Sequence, residues 1–203
     1  MIFSSLFFIF IFLPVTLILY YVCPWKLKNL VLLIMSLIFY AWGEPVYVLL
    51  MGFSILFNYF SAMQIDLYDQ RGDLRLKKVS FIVTLIVNLG MLGFFKYYGF
   101  FLSNLNAVFG FSLKNNSIAL PIGISFYTFQ TLSYIIDVYW GNVDVQRNII
   151  DFGAYITMFP QLIAGPIVQY KDIARQLKYR TITLSKISDG VSWFIRGLGK
   201  KVL

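Results

Sequence analysis

On an otherwise apolar stretch, PIGISFYTFQTLSYIIDVYW (121–140), five polar side chains share one helix face. Tyr127, Gln130, Thr131, Tyr134 and Asp137 fall within about 120° of one another at the helical rotation of ~100° per residue. Phenols, amides and a carboxylate so arranged can hydrogen-bond a polar group inside a helical protein, and the stripe is read as facing an interior cavity. Asp137 has a second reading: with Tyr139 and Trp140 beside it, it fits an interfacial aromatic belt.

A second chemistry-bearing stretch is FPQLIAGPIVQY (159–170). Pro160, Gly165 and Pro166 forbid a continuous helix, and Gln161 brings an amide that must be satisfied. Irregular backbone at membrane depth persists only when buried in protein or lining a wet cavity. A polar cavity or tunnel is therefore expected near residues 159–168.

The chain has no histidine. A Ser-His-Asp triad, a His-bound metal and a His general base are excluded within these residues. Ser4, Ser5, Asp66, Asp69 and Asp73 occupy terminal or loop settings where solvation explains them, and the glycines of GISFYTFQ and RGLGKK match no phosphate-binding loop. No catalytic residue, metal ligand or bound cofactor is assigned.

The elements that must position these residues follow from composition. Of 203 residues, 59% are hydrophobic and 13% charged, where soluble domains carry roughly a quarter charged. Met1 to Cys23 is uncharged and long enough to cross a core of roughly 30 Å. Its start, MIFSSLFF, lacks the basic residues of a cleaved signal, so it reads as a retained first span, 2–22, kinked at Pro14. Residues 29–42 are apolar but short, GEP (43–45) is a tight turn, and 46–65 and 79–98 are spans separated by a polar loop, 66–78. Residues 99–120 read as an external loop, 121–140 as a helix with Pro121 in its first turn, and GNVDVQRN (141–148) as a loop. After the interrupted segment, 152–168, comes a basic stretch, 171–186, and a helix from about 187. Ser54, Asn58 and Ser61 on one face, and Thr84 with Asn88, read as helix–helix contacts. The lone Cys23 allows no disulfide within the chain.

Net charge is +8, and its distribution sets orientation. Two Lys or Arg lie in 24–28, four in 66–78, one in 141–151 and five in 171–186, against none in 43–45 and only Lys114 in 99–120. An extracytoplasmic N-terminus places the first three positive loops inside. The fourth stays inside only if 152–168 enters and leaves on the same face, so the count favours a re-entrant segment over a plain kinked helix. The sequence is thus expected to form an all-α, polytopic integral membrane protein, a single transmembrane domain over 1–203 with a re-entrant broken segment. A nucleic-acid partner is not expected; the bilayer is.

Three strings carry a resemblance. FYAWGEP (39–45), LPIGISFYTFQTLSYIIDVYWG (120–141) and FPQLIAGPIVQY (159–170), in that order, resemble the membrane-bound O-acyltransferases. The likeness is to the bacterial branch that includes the alginate O-acetylation and teichoic-acid D-alanyl transfer proteins, and the opening IFSSLFFIFIFLP and closing GLGKKVL fit it too. The resemblance implies half of a ring of helices pierced by a tunnel, in the bacterial inner membrane. It implies an enzyme moving an acyl group, here acetyl, from a cytoplasmic-side thioester or acyl carrier to hydroxyls of a cell-surface polysaccharide such as alginate, with periplasmic acetylation proteins as partners. Tyr127, Gln130, Tyr134, Pro160, Gln161, Gly165 and Pro166 are then candidates for lining or shaping that tunnel. The family's catalytic histidine lies in its C-terminal half and has no counterpart here. The chain is accordingly expected to be the N-terminal part of such an enzyme, truncated or split, and inactive alone. A transporter or flippase with a midplane site, or an inactive fragment, are the competing readings.

Overall fold

The computed structural model describes residues 5–109, 119–162, 165, 168–180 and 182–202, all in helices and their connections. Pro166 lies outside the described residues. A π-wound stretch, Phe8–Phe12, runs into α1 (Leu13–Val22). Pro14 has no N–H to give the preceding turn, and the irregularity expected there takes the form of this change in winding.

A 3-10 turn, Trp25–Leu27, leads into α2 (Lys28–Gly43), and the Glu44–Pro45 turn connects to α3 (Tyr47–Gln70) and then α4 (Leu74–Phe109). Among the described residues, three helical stretches are long and apolar enough to cross a membrane: Trp25–Gly43, Tyr47–Gln70 and Leu74–Asn106. The 29–42 segment, short by sequence, reaches 19 residues once its 3-10 turn is included.

The expected polar loop at 66–78 contracts to residues 71–73, and the external loop expected from 99 is helical through Phe109. The polarity of DLYDQ and LRLKK reflects an exposed helix face. Gln70 donates to Asp66 Oδ2 at 2.8 Å, Lys77 pairs with Asp69 Oδ1 at 2.6 Å, and Asp73 accepts from the Leu76 N–H at 2.9 Å, a side-chain cap for α4. Residues 110–118 lie outside the described residues.

The hairpin of α3 and α4 is joined through the polar stripes read from sequence. Ser54, Asn58, Ser61, Thr84 and Asn88 are all buried, and Asn58 and Asn88 bond each other directly.

α5 (Ile124–Tyr139) begins three residues later than Pro121 because Gly123 takes φ 77°, a left-handed conformation that no helix contains. A Cβ there would also stand 3.1 Å from the Leu162 carbonyl oxygen. Asn148 caps α6 (Ile149–Thr157), accepting from the Ile150 N–H at 2.9 Å. α7 (Phe159–Leu162) is one turn, followed by α8 (Tyr170–Lys178) and α9 (Leu184–Val202).

α6 is the centre of the molecule. It packs against α2, α3 and α5, and Phe152, Ala154, Tyr155 and Ile156 are wholly buried. At nine residues it spans about 14 Å, far short of a bilayer core of roughly 30 Å. The chain on either side of the interruption returns to one place: Asn29 Nδ2, at the start of α2, donates to Asp151 Oδ1 at 2.6 Å and to the Leu177 carbonyl at 2.9 Å.

Candidate functional site

The break between α6 and α7 falls at Met158 (φ −46°, ψ 107°), two residues before Pro160. In an unbroken helix the Phe159 N–H would donate to the Tyr155 carbonyl. Here it donates to Ser36 Oγ of α2 at 3.2 Å. The released Tyr155 carbonyl accepts two side-chain amides, Gln130 Nε2 at 2.9 Å and Gln161 Nε2 at 3.1 Å. A buried carbonyl left without a donor costs about 1–3 kcal/mol, so these amides are what make the interruption tolerable. The Tyr155 hydroxyl donates to the Val168 carbonyl at 3.0 Å, tying the far end of the interruption to its beginning.

Gln130 and Gln161, candidates by sequence, are thus brought together on one carbonyl. Gly165 donates its N–H to the Gln161 carbonyl at 3.1 Å, closing the turn after α7. Tyr127 and Tyr134 are fully buried in the packed core. Tyr134 Oη accepts from the Gln146 N–H at 2.9 Å, and its ring centroid lies 5.1 Å from that of Phe152 and 4.9 Å from that of Tyr170. Thr131 donates to the Tyr127 carbonyl at 2.7 Å. Asp137 departs from the buried stripe: only partly buried, it accepts from Asn142 Nδ2 at 3.2 Å near the C-terminal end of α5.

Sequence reasoning missed Ser36, Tyr155, Gln146 and Tyr170. Gln146, from the loop GNVDVQRN, is buried and donates to Tyr170 Oη at 3.0 Å. Tyr40 Oη, Tyr127 Oη, Thr128 Oγ1 and Gln130 Oε1 are buried without a hydrogen-bond partner among the described residues. The core beside the break therefore holds unused polar capacity.

Pro160 and Gln161 line a cavity of about 420 Å³ between α1, the break and α8. Its walls are largely apolar, with Leu13, Leu17 and Ile173 among them, and Arg180 and Tyr20 stand at one end. A second cavity of about 460 Å³ lies where α8 meets the loop after α5; it is polar and carries Asp144, Lys171, Arg175 and Lys178. Among the described residues no group of three or more His, Cys, Asp or Glu side chains could hold a metal ion.

No family model matches the chain, and no solved structure matches it. Curated relatives do. The probable alginate O-acetylase AlgI of Pseudomonas aeruginosa is 43% identical over 206 residues, covering 100% of this chain and 39% of that protein. The probable alginate O-acetylase AlgI of Azotobacter vinelandii is 41% identical, covering 100% of this chain and 41% of that protein. The peptidoglycan O-acetyltransferase of Helicobacter pylori is 33% identical, covering 100% of this chain and 44% of that protein. The chain thus spans about two-fifths of the length of the curated relatives it matches. These relatives bear out the resemblance carried by FYAWGEP, the 120–141 string and FPQLIAGPIVQY, in its alginate O-acetylation branch. The chain is, from end to end, a homologue of part of the alginate O-acetylases and of a peptidoglycan O-acetyltransferase.

Proposed function

We propose that this chain builds the broken-helix part of a membrane-bound O-acyltransferase, and that the whole enzyme transfers an acetyl group to hydroxyls of a cell-surface polysaccharide. The observation that carries the reading is similarity along all of the chain to proteins named as O-acetylases of alginate and of peptidoglycan, two polysaccharides with free hydroxyls. The interior supports it. A buried helix, α6, ends in a break whose backbone groups are held by side chains from α2 and α5. That is the kind of irregular backbone a passage at membrane depth requires.

On this reading the positively charged connections after α1, α3 and α5 and the basic stretch 171–186, which holds α8, face the cytoplasm, and the N-terminus is extracytoplasmic. The segment from Asp151 to Lys171 is re-entrant within the inner membrane, and the donor, a thioester or acyl carrier, approaches from the cytoplasmic side. Gln130 and Gln161 fix the wall of the passage by holding the Tyr155 carbonyl. They take no proton: attack by a hydroxyl needs a general base, and with no histidine in this chain that base comes from residues outside these 203. Periplasmic acetylation proteins complete the route to the polysaccharide.

The test is a chimera. This chain replaces the matched part of Pseudomonas aeruginosa AlgI in a strain deleted for it, and acetyl esters on secreted alginate are measured. Acetyl esters at a substantial fraction of the parental level are expected. Chimera that accumulates normally in the membrane but leaves alginate unacetylated would count against the proposal.

A further inference from the structure

We propose that the cavity beside Pro160 is a site for one anionic glycerophospholipid, with an acyl chain in the slot and its phosphate on Arg180. At about 420 Å³ the cavity falls in the range of small-molecule sites, roughly 300–1,000 Å³. Leu13, Leu17, Leu32, Ile173 and Leu177 give it walls suited to a hydrocarbon chain. Leu17 on its rim, with Ile18 and Leu19 next to it, is exposed on an apolar helix, so the slot is flanked by surface that hydrocarbon covers.

The charge at its end selects the head group. Arg180 donates from Nε to the Gln176 carbonyl at 2.8 Å, from Nη1 to Tyr20 Oη at 2.8 Å, and from Nη2 to Asn29 Oδ1. All three acceptors are neutral. Among the described residues no carboxylate pairs with Arg180. The guanidinium is held in one orientation over the Tyr20 ring, 5.7 Å from its centroid, with further N–H groups left to donate. An apolar slot ending in a fixed, unneutralised guanidinium is complementary to an anionic amphiphile.

This inference does not depend on the acyl-transfer reading, because the readout is lipid retention. The 203-residue chain, purified in a nonionic detergent, is titrated with phosphatidylglycerol or phosphatidylcholine of identical acyl chains, and bound lipid is counted by native mass spectrometry. One retained phosphatidylglycerol is expected, with about tenfold preference over phosphatidylcholine, the size of a charge-assisted contact. Arg180→Gln should abolish the preference. Leu13→Trp, which fills the slot and keeps the guanidinium, should reduce retention of both lipids. Equal retention of the two lipids, or unchanged preference in Arg180→Gln, overturns the proposal. So does displacement of the lipid by millimolar inorganic phosphate, which would make Arg180 a site for the free ion. Arg180→Lys, retaining charge, keeps the test decisive if the glutamine variant fails to fold.

Discussion

Asn58 and Asn88 face one another across α3 and α4 and exchange hydrogen bonds, Asn58 Nδ2 to Asn88 Oδ1 at 3.0 Å and Asn88 Nδ2 to Asn58 Oδ1 at 2.7 Å. Each amide also donates back to its own helix, to the Ser54 and Thr84 carbonyls, both at 2.8 Å. Both side chains are almost wholly buried, so neither finds water if its partner is removed. Replacing Asn88 with Leu should destabilise the hairpin by about 1–2 kcal/mol, and the Asn58→Leu, Asn88→Leu double variant should lose less than the sum of the singles. A double-mutant cycle from dodecyl-sulfate unfolding reads the coupling directly. Strict additivity would mean the two amides do not act as a pair.

The Tyr155 carbonyl has two donors, which gives its loss an unusual form. Gln130→Leu or Gln161→Leu alone leaves one amide in place and should cost about 0.5–1.5 kcal/mol. Removing both orphans the carbonyl beside the break and should cost more than the two singles together. In the alginate-acetylation chimera, Gln161→Leu should lower acetyl transfer about tenfold or more by shifting the wall of the passage, with membrane abundance unchanged. Transfer at the unsubstituted level would show that Gln161 shapes nothing that the reaction uses.

Gly165 is required by space. A Cβ added there would lie 2.6 Å from Gln161 Cα and 2.8 Å from its Cβ, and the first of these is backbone that cannot swing aside. Gly165→Ala should therefore force α7 to move, costing about 1–3 kcal/mol, and should raise the rate of limited proteolysis after α7. Gly52→Ala is the control: a Cβ at position 52 has no neighbour within 4 Å, and within α3 it should be neutral or slightly stabilising.

What could be read in advance divides by the range of the interaction. The 54/58/61 and 84/88 stripes identified a buried helix contact because a short polar side chain inside a long apolar run has few places to go in lipid. The Glu44–Pro45 turn and the break before Pro160 follow from backbone chemistry that proline fixes locally. The polar loop at 66–78 misled because charge marks exposure, and an exposed face is as available to a helix, with its Asp66–Gln70 bond, as to a loop. Tyr127, Gln130 and Tyr134 show the harder limit. Periodicity put them on one face, but whether a buried amide meets a cavity or a freed carbonyl depends on where Met158 leaves the helix, which residue types do not specify. The contacts of Asn29 with residues 122 and 148 positions away were out of reach for the same reason.

Those long-range contacts make the sidedness of the broken segment testable. Asp66 and Gln70, at the end of α3, line one cavity together with Asp144, Arg147 and Lys178, and Arg147 lies 3.4 Å from Asp66. The α3–α4 turn and the end of α8 therefore share one end of the molecule, while Glu44 sits in the turn at the opposite end of α3. With Cys23 replaced by Ser, single cysteines at positions 75 and 178 should react with a membrane-impermeant maleimide only from the cytoplasmic side, and one at 44 only from the periplasmic side. Reaction of position 178 from the periplasm, with 75 remaining cytoplasmic, would require the segment from Asp151 to Lys171 to cross the bilayer. Asn29 could not then bond both Asp151 and Leu177, since about 30 Å of hydrocarbon would separate them. The charge asymmetry points the same way, because the opposite arrangement would expose the five Lys and Arg of residues 171–186 outside.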